Sequence, residues 1–150
     1  MRAVVQRVAS ACVTINGGET RSIGPGLVVF LGVLKGDGEA QVQFLAGKIA
    51  GLRVFSDAEG KMNLSLNDIG GQLLVISNFT LGSDCKKGRR PSFDLAAPPQ
   101  LGEALYRLFV EEVRALGVPV STGEFGAEMR VLVENDGPVT LVIDTETLGK

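Results

Sequence analysis

The stretch Val131-Leu-Val-Glu-Asn-Asp-Gly-Pro-Val-Thr-Leu-Val-Ile-Asp144 constrains the fold more than any other. Its β-branched runs at 131–133 and 139–143 favour a pleated, half-buried surface and read as strands. Between them, Asn135-Asp136-Gly137-Pro138 interrupts the pattern. Asp-Gly alone signals a tight hairpin. The proline that follows cannot donate to a ladder and is out of place in a central strand. The Gly-Pro pair therefore marks either a backbone of special shape, such as a cis bond, or an ordinary turn at a sheet edge.

The chain has 150 residues, 45% of them hydrophobic and 21% charged, which suits one globular domain over 1–150 with a core of its own. No apolar run approaches the ~20 residues needed to cross a bilayer. The opening Met1-Arg-Ala-Val-Val-Gln-Arg is charged where a signal peptide would be apolar, so a cytoplasmic location is expected. Cys12 and Cys85 form neither a disulfide framework nor a metal-ligand spacing. Cys12 reads as a small core residue, and Cys85, beside Lys86 and Lys87, as either a loop thiol or a reactive one. Histidine is absent. That removes the commonest general base, the Ser-His-Asp and Cys-His arrangements and the usual zinc ligand sets. Catalysis by such a chain must use carboxylates, lysine, hydroxyls, backbone dipoles or the substrate itself.

Along the chain, residues 2–9, 11–16 and 27–34 read as strands. Val42, Leu45, Ile49 and Leu52 recur at helical spacing, with Asp37 as N-cap. Gly47 and Gly51 weaken that helix, unless they permit close packing against a sheet. A short strand at 52–55 leads to a turn whose Asp57 and Glu59 are either a carboxylate pair or a solvated surface. The buried strand at 72–76 ends in Ser77-Asn78-Phe79-Thr80-Leu81. Polar residues at the end of an apolar strand are where α/β proteins place sites, although such residues also satisfy local hydrogen bonds at an edge. The loop 82–99 carries Lys86, Lys87, Arg89 and Arg90, four cations in five positions of a chain with net charge −2. It is either a phosphate-holding patch or a solvated loop. Leu101, Leu105, Leu108, Val113 and Leu116 give the apolar face of a helix over 101–116, stopped by Gly117. Phe125 to Val133 then alternate into the final strands. The order β-β-β-α-β-α-β-β-β predicts a mixed α/β single domain with antiparallel pairs and two helices. Seven phenylalanines, one tyrosine and no tryptophan suggest no aromatic platform for single-stranded nucleic acid.

Several motifs go further. Gln6-Arg7-Val8, Phe55-Ser-Asp-Ala-Glu-Gly-Lys-Met-Asn63, Ser77-Asn78-Phe79-Thr80-Leu81, Gly88-Arg-Arg-Pro-Ser-Phe93, Thr122-Gly-Glu-Phe-Gly-Ala127 and Asn135-Asp-Gly-Pro-Val-Thr140 follow one another over almost the whole chain. Together they resemble the D-aminoacyl-tRNA deacylases, also called D-tyrosyl-tRNA deacylases. The resemblance implies hydrolysis of the ester between a D-amino acid and the terminal adenosine of tRNA, extending to glycyl-tRNA mischarged on tRNA(Ala). It implies a homodimer with active sites at the subunit interface and a three-layer helix/sheet/sheet fold of mixed and antiparallel sheets. It implies no metal, no cofactor, no membrane and no DNA partner.

Carried over by position, the family's Ser-Gln-Phe-Thr motif becomes Ser77, Asn78, Phe79 and Thr80. Its Gly-cisPro pair, which one subunit inserts into the other's pocket, becomes Gly137 and Pro138. Asn78 departs from the usual glutamine and shortens the stem by one methylene, which changes its reach. Thr80 as a nucleophile would need an adjacent base, and neither motif supplies one. The resemblance favours water attack assisted by the ribose hydroxyl, with backbone N–H groups around Phe79 and Thr80 stabilising the oxyanion. The Gly137-Pro138 carbonyls then select against L side chains by clash, and Lys86, Lys87, Arg89 and Arg90 hold tRNA. Two other readings are a non-catalytic RNA-binding or assembly domain using the basic loop, and a Thr80-dependent hydrolase of small D-amino-acid esters.

Overall fold

A computed structural model describes residues 1–148. In chain order its elements are β1 (Arg2–Ile15), β2 (Thr20–Ile23), β3 (Gly26–Gly32), α1 (Glu39–Ala50), β4 (Phe55–Ser56), β5 (Met62–Leu64) and α2 (Leu66–Ile69). There follow β6 (Gln72–Ser77), a 3-10 turn (Phe79–Gly82), α3 (Pro99–Ala115), β7 (Val120–Thr122), β8 (Met129–Asp144) and α4 (Thr145–Leu148). The result is a mixed α/β fold with four helices among the described residues rather than two. The two extra helices, α2 and α4, have four residues each, too short to show an amphipathic period.

β1 organises the sheet. Its first half pairs antiparallel with β3, from Arg2↔Gly32 to Val8↔Gly26. Its second half pairs with β2, from Ala11↔Ile23 to Thr14↔Thr20. Its other edge carries β8 from Arg2↔Asp144 to Ile15↔Met129. β6 and then β7 extend the sheet in parallel from β3. The segments 2–9 and 11–16 are thus one bent strand, and the two final runs are also one strand. The interruption at 135–138 does not turn the chain.

Burial follows the bend. Ala3 and Val5 of β1 join Leu27, Val29 and Leu31 of β3 and Leu73 and Val75 of β6 against Leu45 and Ile49 of α1 and Phe109 of α3. Val8, Ala11, Val13 and Ile15 join a second cluster with Val28, Leu74 and Ile76, the alternate residues of β3 and β6. In a strand only every second side chain shares a face. Val5 and Val8 lie an odd step apart and so fall on opposite faces. Val8 and Ala11 share a cluster across an odd step, so β1 must break period once between them, and its register against β8 shifts on either side of Val8. β3 and β6 are covered on both faces, which is why they read as continuous apolar runs.

Several local expectations change. The N-cap of α1 is Gly38, whose N–H donates to Gln41 Oε1 at 2.8 Å. Asp37 instead accepts from the Leu34 N–H at 2.6 Å and from the Met1 nitrogen at 2.5 Å. Cys12 is half-buried, outside both core clusters. Gly47 faces solvent, and a Cβ there would meet nothing within 4 Å, so close packing does not explain it. Arg21 of β2 spans to the end of β7, donating at 3.0 Å to the Thr122 and Gly123 carbonyls, and so ties together two strands that do not pair. The Tyr106 hydroxyl of α3 donates to the Val75 carbonyl at 2.9 Å, and burial pushes its pKa up to about 12. No helix among the described residues is long and apolar enough to cross a membrane.

Two glycines give opposite expectations. A Cβ on Gly26 would lie 1.8 Å from the Gln72 carbonyl oxygen, because β3 and β6 approach closely there. Gly26→Ala must therefore push the central strands apart and cost about 3 kcal/mol or more, at the upper end of overpacking. Gly47→Ala, in an exposed helix interior, should stabilise by about 0.5–1 kcal/mol. Urea denaturation of the two variants tests both signs.

Candidate active site

The site begins where β6 leaves the sheet. Asn78 N–H continues the parallel pairing by donating to the Leu31 carbonyl at 2.8 Å, and the chain then enters the 3-10 turn. The first amides of any such turn lack internal acceptors. Among the described residues the N–H groups of Phe79 and Thr80 have no hydrogen-bond partner, and both residues are exposed. The turn lies flat on β3 because residue 32 is glycine. A Cβ there would sit 2.8 Å from Leu81 Cβ and 3.1 Å from the Asn78 carbonyl oxygen.

Ser77, Asn78 and Phe79 line one side of a cleft of about 570 Å³, with Phe93, Phe125 and Met129 on the other walls. The Phe79 and Phe93 rings meet edge to face with centroids 5.3 Å apart. Composition suggests no aromatic platform, yet the fold gathers three phenylalanines at one cleft. Phe93 and Phe125 lie outside regular secondary structure, and the alternation read from Phe125 becomes a strand only at Met129. What marks them as a pair in the sequence is membership of the Arg-Pro-Ser-Phe and Gly-Glu-Phe-Gly motifs. Thr80 is not part of the cleft wall. Its hydroxyl donates to Asn78 Oδ1 at 2.5 Å, an amide oxygen that cannot serve as a base. The shorter stem of Asn78 is used within the turn itself.

Gly137 and Pro138 lie elsewhere in the chain. Asn135 is opposite Val8 and Thr140 opposite Gln6, so four residues, Asp136 to Val139, face Arg7 alone. The strand bulges outward there, and the Gly137-Pro138 bond is cis. Asn135 closes the neck of the bulge, its Nδ2 donating to the Arg7 carbonyl at 2.9 Å and the Val139 carbonyl at 3.0 Å. The Arg7 guanidinium fills the base. It donates to the Asp136 carbonyl at 3.0 Å and to the Val54 carbonyl at 2.7 Å. In the sequence, Arg7 stands out only as part of Gln6-Arg7-Val8. Gly137 has φ +131°, and a Cβ on it would lie 2.9 Å from Val139 Cγ2 and 3.1 Å from Arg7 Nη2. Gly137 and Pro138 are exposed and do not line the cleft formed by Ser77, Asn78 and Phe79.

The basic loop is pinched at its base, where Asp84 and Ser92 exchange backbone hydrogen bonds of 2.7 and 2.9 Å. Lys86, Lys87, Arg89 and Arg90 are exposed, and none forms an ion pair among the described residues. Ser92 leads directly into Phe93 of the cleft wall. Asp57 and Glu59 do not converge on a site. Asp57 accepts from the Lys61 and Glu59 amides and from Asn63, and the Lys61 amide above all holds its carboxyl below the usual range. Glu59 pairs with Lys61 at 3.5 Å. No group of three or more acidic or cysteine side chains able to hold a metal occurs among the described residues.

Residues 4–144 match the family described as D-Tyr-tRNA(Tyr) deacylase. The chain is 58% identical over 145 residues to a D-aminoacyl-tRNA deacylase of Syntrophobacter fumaroxidans, covering 97% of each. It superposes on the solved structure of a c-Myc DNA unwinding element binding protein with TM-score 0.91 and 41% identity, covering 97% of this chain and 99% of that one. A "probable eukaryotic D-amino acid tRNA deacylase" shares the fold, with TM-score 0.82 and 21% identity over 95% of this chain and 97% of that one.

The bulge depends on Asn135. Removing its amide leaves two carbonyls short of a donor, so Asn135→Ala should cost about 1–2 kcal/mol. It should also speed hydrogen exchange at residues 136–139 while leaving residues 77–82 unchanged. Unaltered exchange in the bulge would show that Asn135 does not hold it.

Proposed function

The chain belongs to the D-Tyr-tRNA(Tyr) deacylase family, and we propose that it hydrolyses the ester of D-aminoacyl-tRNA, releasing free D-amino acid and tRNA. The observation that carries this reading is the pair of unpartnered amides, Phe79 and Thr80, at the rim of an aromatic cleft. Water adds to the ester carbonyl and gives up a proton, and the carbonyl oxygen becomes an oxyanion. As the oxyanion re-forms the carbonyl the bond to the ribose oxygen breaks, that oxygen taking the proton the water gave up. Two fixed N–H dipoles beside the developing oxyanion lower this barrier without needing a histidine. The ribose hydroxyl of the terminal adenosine orders the water, which the substrate itself brings close. Thr80, whose hydroxyl is held by an amide oxygen, positions and does not attack. Ser77 and Asn78 shape the mouth of the cleft, and Phe79 and Phe93 offer faces to the terminal base.

Three features support a homodimer with shared sites. Among the described residues β8 pairs with β1 alone. Leu132 and Val142 on it are 67% and 71% exposed. Gly137 and Pro138 are exposed and take no part in the cleft of their own chain. In the reading proposed here they enter the partner's cleft, where their bare backbone obstructs an L side chain and tolerates a D one. Glycine has no side chain to obstruct, so glycyl-tRNA(Ala) is also a substrate. We further infer a helix/sheet/sheet layering, supported by the two core clusters on opposite faces of β3 and β6. Lys86, Lys87, Arg89 and Arg90 bind the tRNA backbone. The setting is the cytoplasm, where charged tRNA is used, and the reaction needs no cofactor.

After EDTA treatment the protein should deacylate D-Tyr-tRNA and leave L-Tyr-tRNA largely intact. Thr80→Ala should retain substantial rate, whereas Thr80→Pro, which deletes the N–H, should lose about 10²–10³ in kcat, the usual cost of one oxyanion donor. The reverse order, or a covalent aminoacyl-Thr80 species, would favour a Thr80-dependent hydrolase. Replacing all four loop cations by alanine should weaken tRNA binding and reduce the slope of log K against log salt by about 0.7–0.9 for each phosphate no longer neutralised. An unchanged slope would place the tRNA elsewhere. Binding without turnover in the wild type would instead favour the RNA-binding domain.

A further inference from the structure

The 3-10 turn Phe79–Gly82 is too short to hold its own shape. Its internal and exit bonds, Leu81 N–H to the Asn78 carbonyl and Ser83 N–H to the Thr80 carbonyl, are 3.3 and 3.1 Å long. Its entrance is fixed to β3 by the Asn78–Leu31 backbone bond. Its exit is fixed by one side chain. Arg2 donates through Nη1 to the Leu81 carbonyl at 2.6 Å and through Nε to Asp144 Oδ2 at 2.9 Å. Arg2 lies opposite Gly32 on one edge and opposite Asp144 on the other, so one guanidinium links the start of β1, the end of β8 and the turn.

The geometry is directional. A guanidinium presents several N–H groups in fixed directions, and an ionised donor shortens its hydrogen bonds. The Leu81 carbonyl is one of the last acceptors of a helical turn, which have no internal donor. Asp144 is itself held, with Oδ1 accepting from the Glu146 N–H at 3.0 Å. Burial pushes its carboxyl up, but the Glu146 amide and Arg2 outweigh burial and keep it below the ordinary carboxylate range. A shift of the turn's exit would be passed to its entrance, because Gly32 leaves no slack beneath it.

We propose that Arg2 is a positioning residue of the site, holding the Phe79–Gly82 turn through the Leu81 carbonyl so that the Phe79 and Thr80 amides converge on one point. This rests on the deacylase reading above, and adds a residue that touches neither substrate nor cleft. Asp144 orients Arg2, and the two act as one unit.

The test uses full-length wild type, Arg2→Met, Asp144→Asn and the double variant, with D-Tyr-tRNA as substrate. Arg2→Met should lower kcat on the order of 10- to 100-fold, the scale of a misplaced catalytic geometry, with KM changed less than about twofold because Arg2 does not touch the tRNA. Asp144→Asn should act in the same direction, and the double variant should be no worse than Arg2→Met alone. Backbone amide NMR shifts at residues 79–82 should move in both single variants, while those at 125–129 stay in place. An unchanged kcat with active wild type, a loss confined to KM, or multiplicative effects in the double variant would overturn the proposal. If Arg2→Met does not fold, Asp144→Asn keeps the guanidinium and is read in the same way. If wild type does not hydrolyse D-Tyr-tRNA, the deacylase reading fails. The brace is then judged on the amide shifts alone, and unmoved shifts at 79–82 overturn it.

Discussion

The antiparallel pairing of β1 with β8 runs from one end of both strands to the other, and most of the molecule hangs from it. β3 and β2 use the opposite edge of β1, and β6 and β7 follow from β3. Because β1 breaks its alternation between Val8 and Ala11, the same strand floors the helical core at one end and closes the second cluster at the other. The cost of that bend is concentrated at one point, opposite Arg7. There the ladder gives way, and the four residues from Asp136 to Val139 are released outward. Arg7 and Asn135 replace the missing ladder bonds with side-chain ones. The bulge is thus both a consequence of the strand's curvature and a fixed structure in its own right.

The cleft is built by comparable means. Its catalytic potential, in the proposed mechanism, lies in backbone N–H groups and in shape, and both are set by residues with little chemistry of their own. Gly32 lets the turn lie on β3. A Cβ on Gly123 would come 2.5 Å from the Met129 sulfur, so that glycine lets Met129 reach the wall. A chain without histidine has few ways to activate a hydroxyl. One that binds an RNA end can use the substrate's own hydroxyl instead. The aromatic pair at 5.3 Å and the basic loop joined to Phe93 place an apolar ring surface beside four exposed cations, which in the proposed reading receive the end of a tRNA.

Much of this was legible in the chain. Buried strands β3 and β6 declared themselves by unbroken apolar runs, and α1 by its spacing. The helix α3 was found, but its face was misplaced, since Leu101 and Leu116 are exposed and Tyr106, Phe109 and Val110 are buried with Leu105 and Val113. The run at 77–80 stood out because polar residues end an apolar strand, and the structure puts Ser77, Asn78 and Phe79 of it at the cleft. What the sequence hid was non-local. The proline at 138 marked special backbone correctly, but period alone could not show that the runs on either side are one strand, because only pairing with β1 reveals it. Asp37 looked like a cap, yet its carboxylate is drawn to the Leu34 amide and the Met1 nitrogen. Cys12 alternated like a core residue on a strand whose outer face is half covered. β5, β7, α2 and α4, at three or four residues each, carry too few positions to show any period. Phe93 had no pattern, and the alternation at Phe125 pointed to a strand rather than to the cleft where the fold places it.

The central claim is that each working site combines the 77–80 turn of one chain with the Gly137-Pro138 bulge of another. Mixed dimers test it most directly. Gly137→Ala places a methyl where φ is +131° and Arg7 is 3.1 Å away, which damages the bulge, and Thr80→Pro damages the turn. In a symmetric dimer with shared sites, a heterodimer of the two variants holds one doubly damaged site and one intact site. Two inactive proteins should then recover, on mixing, about half of wild-type activity per heterodimer. If heterodimers form and no activity returns, both parts of the site come from one chain and the account of shared clefts is wrong.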